Sequence, residues 1–160
     1  VSGTFSKAQK AVYEVVLAAH LECIKAAKVG VAYEAIHGTA VAVLTEGLLS
    51  LGLLKGTLNK NIESEAYRKF YMHKTGHWLG LDVHDVGEYR LAGKSRQLEP
   101  GMVFTIEPGL YIAPGTPGVL EKYQGIGIRI EDDILMTKKG PENLTEGVPK
   151  TVAAIEELLA

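Results

Sequence analysis

The sequence predicts an α+β domain, because two helical patterns come first in the 160-residue chain and alternating strand patterns follow. Apolar residues recur at helical spacing up to residue 51, and period-2 alternation appears after residue 100. This segregation is typical of helices that pack on an antiparallel or mixed sheet. No linker-like or low-complexity segment interrupts the chain, so we expect a single domain over residues 1–160.

Four segments are predicted to be helical: residues 6–28, 33–51, 63–69 and 149–159. Ser6 is the expected N-cap of the first helix, and Gly30 lies where a C-cap glycine belongs. Pro149 suits the first turn of the last helix, where its missing N–H costs nothing. His20 and His37 lie inside the helical patterns, and we expect them to be ordinary core residues.

Two stretches alternate with the period of a β-strand, at residues 102–107 and 126–131. In the second stretch isoleucines occupy one face, while Arg129 and Glu131 share the other. The sequence therefore predicts at least two strands, and each carries a glutamate at its end.

Composition excludes several classes of protein. Charged residues make up 22% of the chain and the net charge is −2, so no basic surface favours nucleic acid or anionic lipid. No apolar run reaches the roughly 20 residues that a membrane-spanning helix needs. The single cysteine, Cys23, cannot form an internal disulfide. We therefore expect a reducing compartment, the cytoplasm.

Three of the five histidines, His73, His77 and His84, lie within twelve residues of one another. His77 and His84 are seven positions apart, so a straight strand would point them to opposite faces. Both reach one site only if the chain turns, and Gly80 is the expected turning point. The cluster favours metal binding or acid–base chemistry, and hydrogen-bonded loop histidines are the alternative.

Two glutamates complete a candidate site. Glu107 precedes a proline, which keeps its backbone extended and fixes its direction. Glu131 shares a strand face with Arg129 and needs a partner, either that arginine or a metal. The alternatives are an ordinary Glu-Pro-Gly turn and a surface Arg–Glu pair, while Asp132 and Asp133 suggest a solvated turn. One imidazole and two carboxylates suit Mn, Co, Fe or Zn.

The motifs MHKTGHWLGLDVHDVG, LEPGMVFTIEPGLYI and GIGIRIEDDILMT resemble, in order and spacing, the C-terminal motifs of the pita-bread metallopeptidases. The segment HWLGLDVHDVG is most similar to Xaa-Pro aminopeptidases, and the resemblance covers essentially the whole chain. It implies the pita-bread (creatinase/aminopeptidase-like) fold, with helices packed on a curved, mainly antiparallel sheet. It also implies metal-assisted hydrolysis of a peptide that carries proline at its second position.

The resemblance implies a dinuclear site with five protein ligands, of which this sequence supplies three: His77, Glu107 and Glu131. His73 and His84 match histidines that contact substrate and stabilise the tetrahedral intermediate. Arg129 matches an arginine beside the last ligand, and Glu107 also handles the proton of the attacking water.

The two aspartate ligands of the family would precede the segment that this chain begins with, so we expect a pita-bread domain truncated at its N-terminus. At most one ion, most naturally Mn, would bind, with weak or absent activity. The alternatives are a non-catalytic binding protein, a prolidase, or a fragment that pairs with a second copy or with a complementing N-terminal segment. Because a lost hairpin exposes a sheet edge, pairing is expected.

Overall fold

The computed structural model describes residues 3–160 of the chain. Its helices are α1 (Lys7–Ala26), α2 (Tyr33–Ser50), α3 (Leu58–Glu63) and α4 (Val152–Leu158), with short 3₁₀ turns at Ala66–Lys69 and Glu121–Tyr123. Within residues 3–160, no helix combines the length and apolar character needed to cross a membrane.

The helix ends follow capping chemistry. The Ser6 hydroxyl accepts the backbone N–H of Gln9, whose side chain in turn accepts that of Ser6, so the predicted N-cap is confirmed. The C-cap is Ala27, and the predicted Gly30 lies beyond it in a turn, with φ of +83°. The predicted start at Pro149 is also wrong, because the Thr151 hydroxyl caps α4 two residues later.

The segment predicted as one helix at residues 63–69 is split in two. Helix α3 begins earlier, at Leu58, because the Thr57 hydroxyl caps it. It ends before Glu65, whose positive φ of 52° is incompatible with a continuing right-handed helix. A 3₁₀ turn then follows, so the prediction placed a helix in the right region with the wrong bounds.

Helices α1 and α2 pack closely against each other. A Cβ on Gly47 would lie 2.2 Å from Cγ1 of Val15, so only glycine permits the crossing at this distance. Cys23 is buried in the same interface, where its Sγ lies 3.5 Å from the carbonyl oxygen of Ile36. Burial raises the pKa of the Cys23 thiol to about 12. The α1–α2 interface is therefore closely packed and buried.

Seven strands follow: β1 (Arg90–Leu91), β2 (Lys94–Ser95), β3 (Val103–Ile106), β4 (Gly109–Tyr111), β5 (Gly127–Arg129), β6 (Asp132–Thr137) and β7 (Gly140–Asn143). All pairings are antiparallel: β1 with β2, β4 with β5, and β6 between β3 and β7. The α+β prediction is confirmed, although hydrogen bonding divides the expected sheet into three smaller ones.

Strand register fixes where the two glutamates lie. Ile106 of β3 pairs with Asp132 of β6, so the residues just beyond this pair, Glu107 and Glu131, leave the sheet side by side. The segment 75–79 runs along the other edge of β3, where the His77 carbonyl accepts the Thr105 N–H at 2.9 Å. Two strand ends and one edge segment thus meet at one point.

Candidate metal centre

His77, Glu107 and Glu131 converge in the structure. Each offers one ligand atom, and these three atoms lie within 4.8 Å of one another. Nε2 of His77 is 3.4 Å from Oε1 of Glu107. Among residues 3–160, this is the one cluster of three or more histidine, cysteine or carboxylate groups with such spacing. The convergence that sequence spacing left open is therefore present.

The His77 imidazole is held in the orientation that a metal ligand needs. Its Nδ1 lies 3.0 Å from the Trp78 carbonyl oxygen, which can only accept, so Nδ1 carries the proton. Nε2 then has a free lone pair directed at the carboxylates. Thr105 adds a second constraint, because its hydroxyl accepts the His77 N–H at 3.0 Å and donates to Glu107 at 3.3 Å.

Glu107 is a buried carboxylate rather than an exposed turn residue, being only 8% exposed. Its backbone N–H donates to the Thr75 carbonyl at 2.7 Å, and its Oε2 lies 3.3 Å from NH1 of Arg129. The alternative of an ordinary Glu-Pro-Gly turn is therefore wrong. Arg129 occupies one carboxylate oxygen and leaves Oε1 facing His77.

Glu131 lies beside this ion pair without joining it. Its side chain is exposed, and Arg129 forms its ion pair with Glu107 instead, so the predicted Arg129–Glu131 surface pair is not formed. Desolvation and then the neighbouring Glu107 carboxylate raise the pKa of Glu131. Two carboxylates held this close repel each other, and a bound divalent cation would relieve that repulsion.

A hydrogen-bond chain connects the arginine to His73. Nε of Arg129 donates to the Tyr111 hydroxyl at 2.8 Å, and that hydroxyl lies 2.9 Å from Nε2 of His73. Nδ1 of His73 donates to the Lys74 carbonyl at 2.7 Å, so Nε2 accepts the Tyr111 proton. The bond to Tyr111 raises the pKa of Arg129. Tyr111 was not among the predicted site residues, although its even spacing from Glu107 was a usable signal.

His84 reaches the site from the loop beyond His77. The two ring centroids are 4.3 Å apart, with the planes at 82°. The predicted turn at Gly80 is confirmed, because the Asp85 N–H donates back to the Trp78 carbonyl at 3.1 Å. All three clustered histidines therefore lie at or beside the candidate metal centre: His77 within it, His84 against the His77 ring, and His73 at the end of the Tyr111 link.

Two other histidines and two aspartates, for which the sequence predicted structural roles, lie outside this centre. His20 is fully buried, and His37 is half-buried with Nδ1 2.8 Å from the Thr75 hydroxyl, so neither joins the cluster. The solvated turn predicted for Asp132 and Asp133 is wrong, because both residues belong to β6 and Asp132 is only 1% exposed. Its donors come from distant parts of the chain, so no local pattern could reveal its burial.

Comparison with known proteins gives consistent matches. Residues 1–138 match the model of metallopeptidase family M24. The chain is 49% identical over 159 residues to an Xaa-Pro aminopeptidase of Haemophilus influenzae and 48% identical to one of Escherichia coli. Each match covers 99% of this chain and 36% of the relative, so the chain spans about a third of the length of these relatives.

Solved structures agree with the sequence matches. The Pseudomonas aeruginosa aminopeptidase PepP superposes with a TM-score of 0.97 at 54% identity, covering 98% of this chain and 36% of that one. Zinc-substituted E. coli aminopeptidase P in complex with product superposes with a TM-score of 0.93 at 48% identity, covering 98% and 35%. The arrangement of helices and strands described above is therefore that of aminopeptidase P over this portion.

Proposed function

This chain belongs to metallopeptidase family M24, and we propose that it forms part of an enzyme that hydrolyses the peptide bond preceding proline. The α+β, pita-bread character of the chain is shown by its likeness to aminopeptidase P. The observation that carries the proposal is the convergence of His77, Glu107 and Glu131 at mutual distances below 4.8 Å. The names of the relatives favour an Xaa-Pro aminopeptidase over a prolidase.

The donor set fits a divalent metal. His77 keeps Nε2 free because Nδ1 is bound to the Trp78 carbonyl, and the two carboxylates repel each other without a cation. Nitrogen and oxygen donors without a thiolate suit Mn, Co, Fe or Zn, and we propose Mn(II). When bound, such an ion lowers the pKa of a coordinated water and thereby supplies a nucleophile near neutral pH.

The residues of the chain then have distinct roles. Arg129 fixes Oε2 of Glu107, while Oε1, which accepts one hydrogen bond from Thr105, keeps a lone pair for the proton of the attacking water. Both ring nitrogens of His73 are engaged, so we propose that it presents its ring to the substrate. We propose that His84, whose exposed ring lies edge-on to that of His77, donates a hydrogen bond to the tetrahedral intermediate.

We propose that the 160-residue chain alone binds one ion weakly and turns over substrate slowly. The cluster of His77, Glu107 and Glu131 offers three protein ligands, and few anionic ligands attract a dication weakly. Exposed apolar side chains in the loop beyond Gly80, Leu81 and Val86 among them, favour cover by a second copy or by a complementing segment. The cytoplasmic location stays a prediction from the single buried cysteine.

Hydrolysis of an Xaa-Pro peptide with added Mn(II) tests the enzyme proposal. We expect slow, metal-dependent release of the first residue by the natural chain and none by His77→Ala. A peptide with alanine in place of proline is the specificity control and should be cleaved much more slowly. Equal, zero hydrolysis by both proteins would overturn the proposal for this chain, and size-exclusion chromatography with light scattering tests the pairing.

A further inference from the structure

The carboxylate of Asp132 is the most heavily bonded side chain near the metal centre, and no catalytic step uses it. It is buried in the first residue of β6, directly after Glu131. Four polar atoms surround it: His20 Nε2 at 3.1 Å, Lys150 Nζ at 2.8 Å, Asn143 Nδ2 at 2.7 Å and Thr145 Oγ1 at 2.5 Å. The His20 contact is close but lacks hydrogen-bond alignment, so the other three hold the carboxylate.

The donors are themselves fixed by further contacts. Nζ of Lys150 also donates to the carbonyls of Thr145 and Val148, and the Lys150 carbonyl accepts the Tyr13 hydroxyl of α1. The Thr145 N–H donates to Oδ1 of Asn143 at 2.9 Å. Since a buried carboxylate is strongly destabilised without its partners, this network allows Asp132 a single position.

Glu131 has no comparable support of its own. Arg129, the nearest cation in sequence, pairs with Glu107, and the Glu131 side chain is exposed. Like charge pushes its carboxylate away from Glu107. The backbone pairing of Asp132 with Ile106 is what brings the two glutamates side by side.

We propose that Asp132 is a positioning residue, which anchors the start of β6 and thereby holds the Glu131 carboxylate opposite Glu107 for the metal. This proposal rests on the proposed function, because it names the residue that assembles the same site. It assigns a functional purpose to a buried cluster that joins α1, β7 and the segment before α4. A purely structural Asp132 would affect stability alone.

Calorimetric titration with Mn(II) tests the proposal on the 160-residue chain. We expect Asp132→Asn to weaken Mn(II) binding at least about tenfold, the range measured when partners of metal ligands are removed. Asp133→Asn is the matched control, because Asp133 is the next residue of the same strand, and we expect a change below twofold. All titrations are run well below the melting temperature of each protein. A lower melting temperature with unchanged Mn(II) affinity would overturn the proposal.

A milder pair of variants covers the case in which Asp132→Asn fails to fold. Thr145→Val removes one donor to Asp132, whereas Thr145→Ser retains the hydroxyl. We expect Thr145→Val to weaken Mn(II) binding about threefold and Thr145→Ser to restore it. Equal affinities for these two variants would contradict the proposal.

Hydrogen exchange without metal separates the two proposals. The Ile130 N–H, one residue before Glu131, donates to the Pro108 carbonyl. We expect this amide to exchange faster in Asp132→Asn, while that of Leu44 in α2 is unchanged. If the natural chain binds no Mn(II), the proposed metal site fails, and the Ile130 exchange still decides the positioning role: faster exchange supports it and equal exchange overturns it.

Discussion

The two sides of the candidate site are built in different ways. The carboxylate side, defined as residues 75–78, 103–111 and 127–137, consists of paired strands and the segment hydrogen-bonded along the edge of β3. Its inward side chains, such as Phe104 and Ile134, are fully buried. The histidine loop, defined as residues 79–97, carries exposed apolar side chains and one two-residue hairpin. The Tyr89 ring stacks on Trp78 with centroids 5.2 Å apart, and the far end of the loop is joined to α2, where Arg90 pairs with Glu34 at 2.7 Å.

The difference shows that metal ligands and substrate-facing groups have different structural needs. Glu107 and Glu131 are placed by strand register, so small displacements are resisted by the whole sheet. His84 lies in the turn that follows Gly80, where its ring contacts that of the nearby His77. Paired substitutions, one on each side, therefore test whether the carboxylate side binds the metal while the histidine loop does not.

The largest difference is expected from two glycine substitutions. A Cβ on Gly76 would lie 1.9 Å from the Thr105 backbone oxygen, whereas on Gly80 its three nearest neighbours would be atoms of the Asp85 side chain, whose carboxylate can rotate away. We expect Gly76→Ala to destabilise the fold by about 3 kcal/mol and Gly80→Ala by under about 1 kcal/mol. Thermal melts measure both, and equal losses would show that the two sides are equally rigid.

Metal affinity should separate His77 from His84. We expect His77→Ala to weaken Mn(II) binding at least about 30-fold, or roughly 2 kcal/mol, because a ligand nitrogen is lost. His84→Ala should change it less than about threefold, since His84 lies outside the group of three ligands. Mn(II) titration followed by electron paramagnetic resonance measures free ion directly. A large effect of His84→Ala would extend the metal site into the histidine loop.

Acid should destabilise the fold through His37. Burial, and then Lys74, lowers the pKa of His37 from the ordinary 6.5 to about 4. The folded state therefore binds fewer protons, so stability is complete above pH 6.5 and falls as the pH drops towards 4. With partial exposure taken into account, we expect a loss of about 1–2 kcal/mol.

Matched glutamine variants isolate this pH effect from the general protonation of carboxylates. Melting temperatures of His37→Gln should fall less steeply between pH 6.5 and 4.5 than those of the natural chain. His84→Gln is the matched control, because it replaces an exposed histidine that lies outside α1 and α2. If the melting temperatures of all three proteins fall equally with pH, His37 is not the source of the acid destabilisation.

The smallest effect is expected at Glu131. Its pKa is raised in the folded protein, so its contribution to stability is present at low pH and is lost as the pH rises through the raised value. Without metal, Glu131→Gln should raise the melting temperature at pH 7.5 by roughly 1–2 °C and have no effect near pH 4. Glu88→Gln, in the histidine loop, should leave the melting temperature unchanged. A lower melting temperature for Glu131→Gln would contradict the repulsion between Glu131 and Glu107.

Local patterns predicted the parts of the molecule that local chemistry determines. The Ser6 cap, the second helix, the turn at Gly80 and the strand before Glu107 each depend on neighbouring residues, and all are present. Resemblance in the motifs added the grouping of His77 with the two glutamates. The roles of these residues in catalysis stay predictions.

Long-range contacts account for what could not be predicted. The burial of Asp132 depends on Lys150 and His20, which are distant in sequence, and the Tyr111 link between Arg129 and His73 depends on strand pairing. The break at Glu65 requires a left-handed residue that no composition rule marks. Such features depend on contacts between residues far apart in the sequence, and the periodicity of a single sequence does not indicate which distant residues meet.

The single cysteine gives this fold a built-in chemical reporter. Cys23 is fully buried between α1 and α2, and its protonated thiol is a poor nucleophile towards alkylating or disulfide reagents. Labelling therefore requires the helix pair to separate, whereas opening of the histidine loop leaves the thiol covered. The rate of thiol modification therefore reports how often α1 and α2 separate, without any introduced probe.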